Sequence, residues 1–212
     1  MFKDRKEAGE KLAKTLEEYK DRDVLILAIP RGGVEVAYEV AKRVNAELSI
    51  IISRKLPFPD NPEAGFGAIT EDGSIFMING AELWISENEI AKIIKEQKQE
   101  IKRRIKILRD GEDLPKIEGR DVILIDDGIA MGSTMMASIM LCKNRDAKEI
   151  IVATPVAGRE VVEKIETLVD VMIILEMPIY FRAVAQIYEN WYDVSDEEVI
   201  DILRKWKNSR DI

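Results

Sequence analysis

The sequence lacks histidine altogether and has a single cysteine among its 212 residues. Without histidine, every catalytic triad, metal site or acid–base scheme that depends on an imidazole is excluded. The one thiol, Cys142, cannot form an intramolecular disulfide, so a reducing compartment and a cytoplasmic location are expected. Any chemistry must therefore use carboxylates, cations, backbone amides and metal ions.

Long apolar runs and clustered positive charge are also missing. No stretch approaches the roughly 18–20 apolar residues of a membrane span, and residues 1–5 are charged rather than typical of a secretory signal. The formal net charge of -8 disfavours a broad surface for nucleic acid or anionic lipid. We therefore expect neither a nucleic-acid nor a membrane partner. The richness in Lys, Glu and Ile is typical of a thermophile.

Short apolar segments alternate with segments of helical periodicity along the chain. The apolar segments have the near-continuous hydrophobic character of strands that are covered on both faces. This alternation predicts an α/β fold with a doubly wound, mainly parallel five-stranded sheet and helices on both faces. The predicted strands are residues 23–29, 48–53, 121–125, 149–154 and 170–175.

Two segments depart from this alternation. Residues 56–61 contain two prolines and are predicted to be a loop, and Glu71-Asp72-Gly73 predicts a hairpin turn between residues 67–70 and 74–78. We expect a single domain over residues 1–212. Its predicted parts are a core at about 20–176, a hairpin and flexible-loop insertion at 56–85, a helix at 87–109, and a small C-terminal hood at about 177–212 with the N-terminal segment.

Polar or glycine-rich segments follow the first three predicted strands. Pro30-Arg31-Gly32-Gly33 follows the first strand, Arg54-Lys55 the second, and residues 126–134 (DDGIAMGST) the third. Because ligands bind beyond the carboxyl ends of the strands in such sheets, we expect these segments to converge at one edge. Two glycine-bearing loops, three cations and two carboxylates would then surround one ligand.

The third of these segments has the composition of a phosphate cradle. Successive loop N–H groups and a helix N-terminus attract an anion, and Ser133 and Thr134 add hydroxyl donors. Asp126 and Asp127 cannot bind phosphate directly, but they suit sugar hydroxyls or a hydrated Mg²⁺. The alternative interpretation is an ordinary strand-to-helix turn that Asp, Gly and Thr merely shape and cap.

Residues 122–134 (VILIDDGIAMGST) resemble the signature with which type I phosphoribosyltransferases bind 5-phosphoribosyl-1-pyrophosphate (PRPP). That signature is a hydrophobic strand, two acids, two variable residues, a small residue, Thr, Gly, any residue and Ser or Thr. Pro30-Arg31-Gly32-Gly33 resembles the family's pyrophosphate loop, and Arg54-Lys55 resembles its basic pair. Residues 181–199 resemble the hood of a little-characterised branch, which also has the Gly-Phe-Gly-Ala-Ile hairpin of residues 65–69.

The resemblance implies a homodimeric enzyme that uses Mg²⁺ to transfer the phosphoribosyl group of PRPP to a nucleobase or similar nitrogen nucleophile, releasing pyrophosphate. It assigns the ribose hydroxyls and Mg²⁺ to Asp126 and Asp127, which would be catalytic together with Arg54 and Lys55. Residues 56 to about 80 would form a mobile cover, in which Glu63 is a further candidate for substrate contact. The implied 5-phosphate site is Ala130, Met131, Gly132, Ser133 and Thr134; the pyrophosphate site is Arg31, Gly32, Gly33, Arg54 and Lys55; the base site is Phe181, Tyr180 and Val184.

Two positions depart from the family pattern. Met131 stands where the signature usually has Thr, and one hydrogen bond to a charged group contributes roughly 1.5–3 kcal/mol. This loss favours an alternative hypothesis, a non-catalytic sensor of PRPP or a nucleotide on the same fold. Ala130 stands where the hypoxanthine-guanine type has a catalytic aspartate, which argues against that mechanism. A dinucleotide or methyl-donor binder would need a Gly-x-Gly-x-x-Gly turn, which residues 30–33 do not supply.

Overall fold

The computed structural model describes residues 1–210, apart from the side chains of Glu63 and Arg210. Apolar strands and amphipathic helices alternate through most of this length. The helices are α1 (Arg5–Thr15), α2 (Gly32–Val44), α3 (Glu87–Leu108), α4 (Ser133–Asn144), α5 (Arg159–Glu166) and α6 (Asp196–Arg210). The strands are β1 (Val24–Ala28), β2 (Glu47–Ile50), β3 (Ser53–Phe58), β4 (Asn61–Thr70), β5 (Ile75–Met77), β6 (Asp121–Ile125), β7 (Glu149–Val156) and β8 (Val171–Glu176).

The central sheet is fully parallel and has the order β2-β1-β6-β7-β8. All residues of β1 and β6 are buried, as continuous apolar strands covered by helices on both faces require. Alternate side chains of β1 enter two separate cores: Ile26 packs with residues of α1, α2 and α6, whereas Leu27 packs with residues of α4 and α5. The predicted doubly wound α/β fold is therefore confirmed.

A second, antiparallel sheet of order β3-β4-β5 follows β2. The predicted hairpin around Asp72 is confirmed, and its turn is held by hydrogen bonds from Thr70 Oγ1 (2.7 Å) and Ser74 N–H (2.8 Å) to Asp72 Oδ1. The prediction that residues 56–61 form a loop is wrong, because β3 extends to Phe58 and β4 begins at Asn61. Pro57 is tolerated because β3 is an edge strand with a neighbour on one side only. On the side without a neighbour, a missing N–H removes no hydrogen bond between strands.

The C-terminal segment packs with the first residues of the chain. Phe2 N–H donates to Ile187 C=O (2.6 Å), Glu189 N–H donates to Phe2 C=O (2.9 Å), and the rings of Phe2 and Tyr188 lie 5.9 Å apart. These contacts hold the start of α1 against the segment between β8 and α6 (residues 177–195), which is the first part of the predicted hood and is called the hood from here on. Among the described helices, none combines the length and apolarity that crossing a membrane requires.

Candidate functional site

The glycine turn after β1 lies beside the acidic pair after β6, because these two strands are parallel neighbours. A Cβ on Gly32 would lie 1.9 Å from Asp127 Oδ2, and a Cβ on Gly33 would lie 2.9 Å from the Cα of Asp126. Only glycine allows a backbone to approach this closely. The two glycines therefore let the N-terminus of α2 pack directly against both acids.

The loop after the acids ends at the N-terminus of α4. Gly132 adopts a left-handed conformation (φ 78°) immediately before Ser133, the first helical residue. The first intrahelical bond runs from Met136 N–H to Gly132 C=O (2.8 Å), so the N–H groups of Ser133, Thr134 and Met135 have no helical acceptor. Such free donors, together with the positive end of a helix dipole, attract anions.

A cavity of about 570 Å³ opens over this loop, within the size range of small-molecule sites. The cavity is lined by this loop together with Asp126, by residues of the β3–β4 hairpin and by Val184 of the hood. The predicted 5-phosphate residues, one acid, one cation and one base-site residue are thus brought together. The lining residues are Lys55, Asn61, Ala64, Gly65, Asp126, Gly128, Ile129, Ala130, Met131, Gly132, Ser133, Thr134, Met135 and Val184.

The acidic pair is electrostatically asymmetric. Burial, followed by the charge of Asp127, raises the pKa of Asp126 well above its ordinary value. Asp127 instead accepts a hydrogen bond from Arg5 Nε at 2.6 Å across an ion pair, and its own N–H donates to Asp126 Oδ1 at 2.8 Å. Adjacent carboxylates in a partly buried cleft are typical of functional sites, where perturbed pKa values cluster.

Sequence reasoning missed Arg5, although the sequence holds a signal for it. Arg5 precedes Ala8 and Leu12 at helical spacing, so it lies on the buried face of α1. A charged residue on an apolar helix face is rare unless it is paired. Its partner, 122 positions away in the sequence, could not have been identified without the tertiary structure.

The predicted pyrophosphate cations are placed differently from one another. Lys55 lines the cavity, whereas Arg31 and Arg54 are not among the described residues that line it. Arg54 Nε donates to Gln97 of α3 (3.1 Å), and burial, followed by the nearby Arg104, lowers the pKa of Arg54. Arg31, which follows Pro30 through a cis peptide bond, approaches Asp196 at the start of α6 (Nη1–Oδ1 3.6 Å).

The predicted base-site residues are also separated. Val184 enters the cavity and packs so closely on Gly128 that a Cβ there would lie 2.4 Å from Val184 Cγ1. Phe181 packs over Gly158, and a Cβ added to Gly158 would lie 3.2 Å from Phe181 Cδ1. Tyr180 is 85% exposed and is not among the described residues that line the cavity. The remaining candidate, the side chain of Glu63, lies outside the described part of the structure.

The acid pair fits the requirements of Mg²⁺ better than those of a metal held by protein alone. Among the described residues no group of three or more Asp, Glu, Cys or His side chains is arranged so that it could hold a metal ion. Mg²⁺ is usually held by one or two carboxylates together with substrate oxygens and water. Asp126 at the cavity floor and the adjoining Asp127 supply such a donor set.

Comparisons with known proteins found a matching family model and similar chains. The family model for the phosphoribosyl transferase domain matches residues 3–188. Two strains of Mycobacterium tuberculosis each have a protein named "Putative phosphoribosyl transferase" that is 36% identical over 205 residues, or 96% of this chain. The chain spans about half of those relatives, 46% of their length. The crystal structure of TT1426 from Thermus thermophilus matches with a TM-score of 0.82 and 34% identity, over 97% of this chain and 99% of that one.

Proposed function

The chain belongs to the phosphoribosyl transferase domain family, and from that premise we propose a Mg²⁺-dependent phosphoribosyltransferase. It would transfer the 5-phosphoribosyl group of PRPP to a nucleobase or similar nitrogen nucleophile and release pyrophosphate. The observation that carries this proposal is the cavity in which the open N-terminus of α4 and the carboxylate of Asp126 face one space. Such a space suits a molecule that has a phosphate at one end and ribose hydroxyls beside it.

The 5-phosphate would be held by the loop before α4. The backbone N–H groups from Ala130 to Thr134 and the hydroxyls of Ser133 and Thr134 are donors suited to a phosphate monoester. Met131 contributes its N–H but no hydroxyl, and its side chain is 73% exposed. The loop therefore keeps the backbone part of the phosphate site and lacks one side-chain donor.

Asp126 and Asp127 would accept hydrogen bonds from the ribose 2′- and 3′-hydroxyls and help to hold Mg²⁺. When bound, Mg²⁺ would stabilise the negative charge on the departing pyrophosphate. Lys55, which lines the cavity, would attract the same group together with Arg31 and Arg54. Gly32 and Gly33 would contribute by allowing α2 to approach the reacting centre.

The chemistry would require no imidazole. The bond between C1 of the ribose and the pyrophosphate oxygen breaks with oxocarbenium-like character, its electron pair leaves with pyrophosphate, and the acceptor nitrogen forms the new bond to C1 from the opposite face. The chain would act mainly through electrostatic stabilisation by preorganised groups. The hairpin wall and Val184 would exclude water from the centre.

The proposal is tested by calorimetry with PRPP and Mg²⁺, followed by a panel of nucleobases monitored for pyrophosphate. We expect pyrophosphate release only with the correct base, and no turnover by Asp127→Asn. Asp23→Asn is the control, because Asp23 pairs with Arg120 at the opposite edge of the sheet. Full activity of Asp127→Asn would show that the role of the acidic pair is assigned wrongly.

A non-catalytic sensor of PRPP or a nucleotide is the second candidate, and the missing hydroxyl at Met131 favours it. A sensor would be stabilised against heat by PRPP, since a ligand that binds only the native state raises the free energy of unfolding. It would release no pyrophosphate with any base in the panel. Thermal stabilisation combined with turnover would exclude the sensor.

A further inference from the structure

Arg5 is a buried cation whose Nε and Nη1 contact specific partners. The residue is 3% exposed, although it lies in the first turn of a surface helix. Its Nε contacts Asp127 Oδ2 (2.6 Å), and its Nη1 donates to Tyr192 C=O (2.9 Å) and approaches Glu35 Oε2 (3.5 Å). Burying a guanidinium costs several kcal/mol, on the order of the Born penalty after relaxation, unless such partners compensate.

The hood encloses the guanidinium of Arg5 with aromatic rings. The ring centroid of Trp191 lies 4.0 Å from Arg5 Cζ, that of Tyr192 5.3 Å and that of Tyr188 5.8 Å. Planar guanidinium groups stack on such rings, whereas a lysine ammonium cannot reproduce the stack and the donor fork together. The position of Arg5 is thus fixed by side chains that belong to the hood.

Asp127 is held by the same residues. Tyr188 Oη donates to the carbonyl of Asp127 (2.7 Å), which fixes the backbone, while Arg5 fixes one carboxylate oxygen. Gly32 lies against both groups, since a Cβ there would be 1.9 Å from Asp127 Oδ2 and 2.7 Å from Arg5 Nε. The arginine therefore sets the direction of the Asp127 carboxylate while the tyrosine sets the position of its main chain.

We propose that Arg5 is a positioning residue, which holds the carboxylate of Asp127 in the orientation that binds the ribose hydroxyls and couples that orientation to the packing of the hood. This inference rests on the proposed function, because it assumes that Asp127 binds ribose. Arg5 itself touches no substrate in this scheme. Arg5 keeps the partly buried carboxylate of Asp127 in one orientation, next to the second acid Asp126, before the ligand binds. Binding sites require this kind of preorganisation.

The test compares Arg5→Gln with the wild-type protein and with Arg120→Gln. Arg120 is a matched control, because it also pairs with two carboxylates, those of Asp23 and Glu47, at the opposite edge of the sheet. Calorimetry with PRPP and Mg²⁺ is expected to show at least tenfold weaker binding for Arg5→Gln and a change below twofold for Arg120→Gln. Inorganic phosphate, which needs only the loop before α4, is expected to bind all three proteins equally.

A double-mutant cycle separates positioning from simple support of the fold. If Arg5 acts through Asp127, Arg5→Gln should weaken PRPP binding little further once Asp127→Asn is present. Arg5→Lys should restore only part of the affinity.

Trp191→Leu provides the test should Arg5→Gln fail to fold. This variant leaves the ion pair in place but removes the stacked ring. It should weaken PRPP binding about threefold.

Three outcomes would overturn the inference while leaving the proposed function intact. They are unchanged PRPP affinity in Arg5→Gln (or in Trp191→Leu, where Arg5→Gln does not fold), additive effects of Arg5→Gln and Asp127→Asn, and full rescue by Arg5→Lys. By contrast, absence of PRPP binding in the wild-type protein would overturn the proposed function itself.

Discussion

Two buried arginine–carboxylate ion pairs of this protein differ in how many of the carboxylate oxygens are hydrogen-bonded to the guanidinium. Arg109 and Glu71, both 6% exposed at the side chain, join the end of α3 to the β4–β5 hairpin. Arg109 also donates to Ile50 C=O (2.9 Å), and Glu71 also accepts from Ile52 N–H (2.9 Å). At the other pair Arg5 contacts a single oxygen of Asp127, and beside it Asp126 has a raised pKa.

This difference distinguishes an ion pair that only supports the fold, Arg109–Glu71, from one that belongs to the candidate site, Arg5–Asp127. At Arg109–Glu71 both carboxylate oxygens bond to the guanidinium, so nothing is left for a ligand. At Asp126–Asp127 two adjacent acids lie beside one arginine, which bonds only to Asp127, while Asp126 lines the cavity. Proteins keep such locally unfavourable charge mainly where a ligand or metal will use it.

The largest expected effect comes from breaking the structural pair. Arg109→Met leaves Glu71 buried without a counter-charge and should reduce the free energy of unfolding by about 3–5 kcal/mol. Urea denaturation measures the loss. PRPP affinity of the folded variant should stay within twofold of the wild type. A strong loss of affinity without loss of stability would contradict the separation of the two pairs.

A smaller effect is expected from restoring the missing donor in the phosphate loop. Met131→Thr adds a hydroxyl where the family signature has one, and it should strengthen PRPP binding by about 1.5–3 kcal/mol. The side chain of Met131 is mostly exposed, so the substitution should cost little packing. Calorimetry measures the change, and Met177→Thr, at another exposed methionine, is the control. No gain in affinity would argue against a phosphate at this loop.

The smallest effect on stability is expected from removing the ionisable group of Asp126 at the acidic pair. Because the folded-state pKa of Asp126 is raised from 3.8, its contribution to stability is present below that value and is lost as pH rises through the raised pKa. Asp126→Asn should therefore stabilise the ligand-free protein at pH 7 by roughly 1 kcal/mol, a typical gain at strained sites, and abolish Mg²⁺–PRPP binding. Urea denaturation of both proteins from pH 4 to pH 8 tests this. A stability difference independent of pH would refute it.

The sequence predicted the parts of the fold that depend on local pattern. The continuous apolar segments at β1 and β6 identified strands buried on both faces, and Glu71-Asp72-Gly73 identified the β4–β5 turn. The turn between β6 and α4 was predictable, as a candidate for binding phosphate, because glycine, hydroxyl and acid residues lie within nine consecutive positions. Local spacing specified these features, so no distant contact was needed to recognise them.

The sequence failed where distant contacts decide the outcome. Two prolines suggested a loop at residues 56–61, but pairing with β4 made an edge strand of β3. Nothing near Arg54 in the sequence showed that it would bond to Gln97 of α3. Arg5 was missed for the same reason, since its partner Asp127 lies on a different element far along the chain.

The order of residues along the chain was enough to specify an α/β sheet, a turn rich in donors at the start of α4 and two adjacent acids, because each depends on periodicity or on neighbours in sequence. Only the tertiary structure decided that Asp126 faces the cavity while Asp127 is bound by Arg5 beneath the hood. The physical reason is that burial and pairing of charge depend on which elements meet in space, and strand and helix patterns leave that choice open.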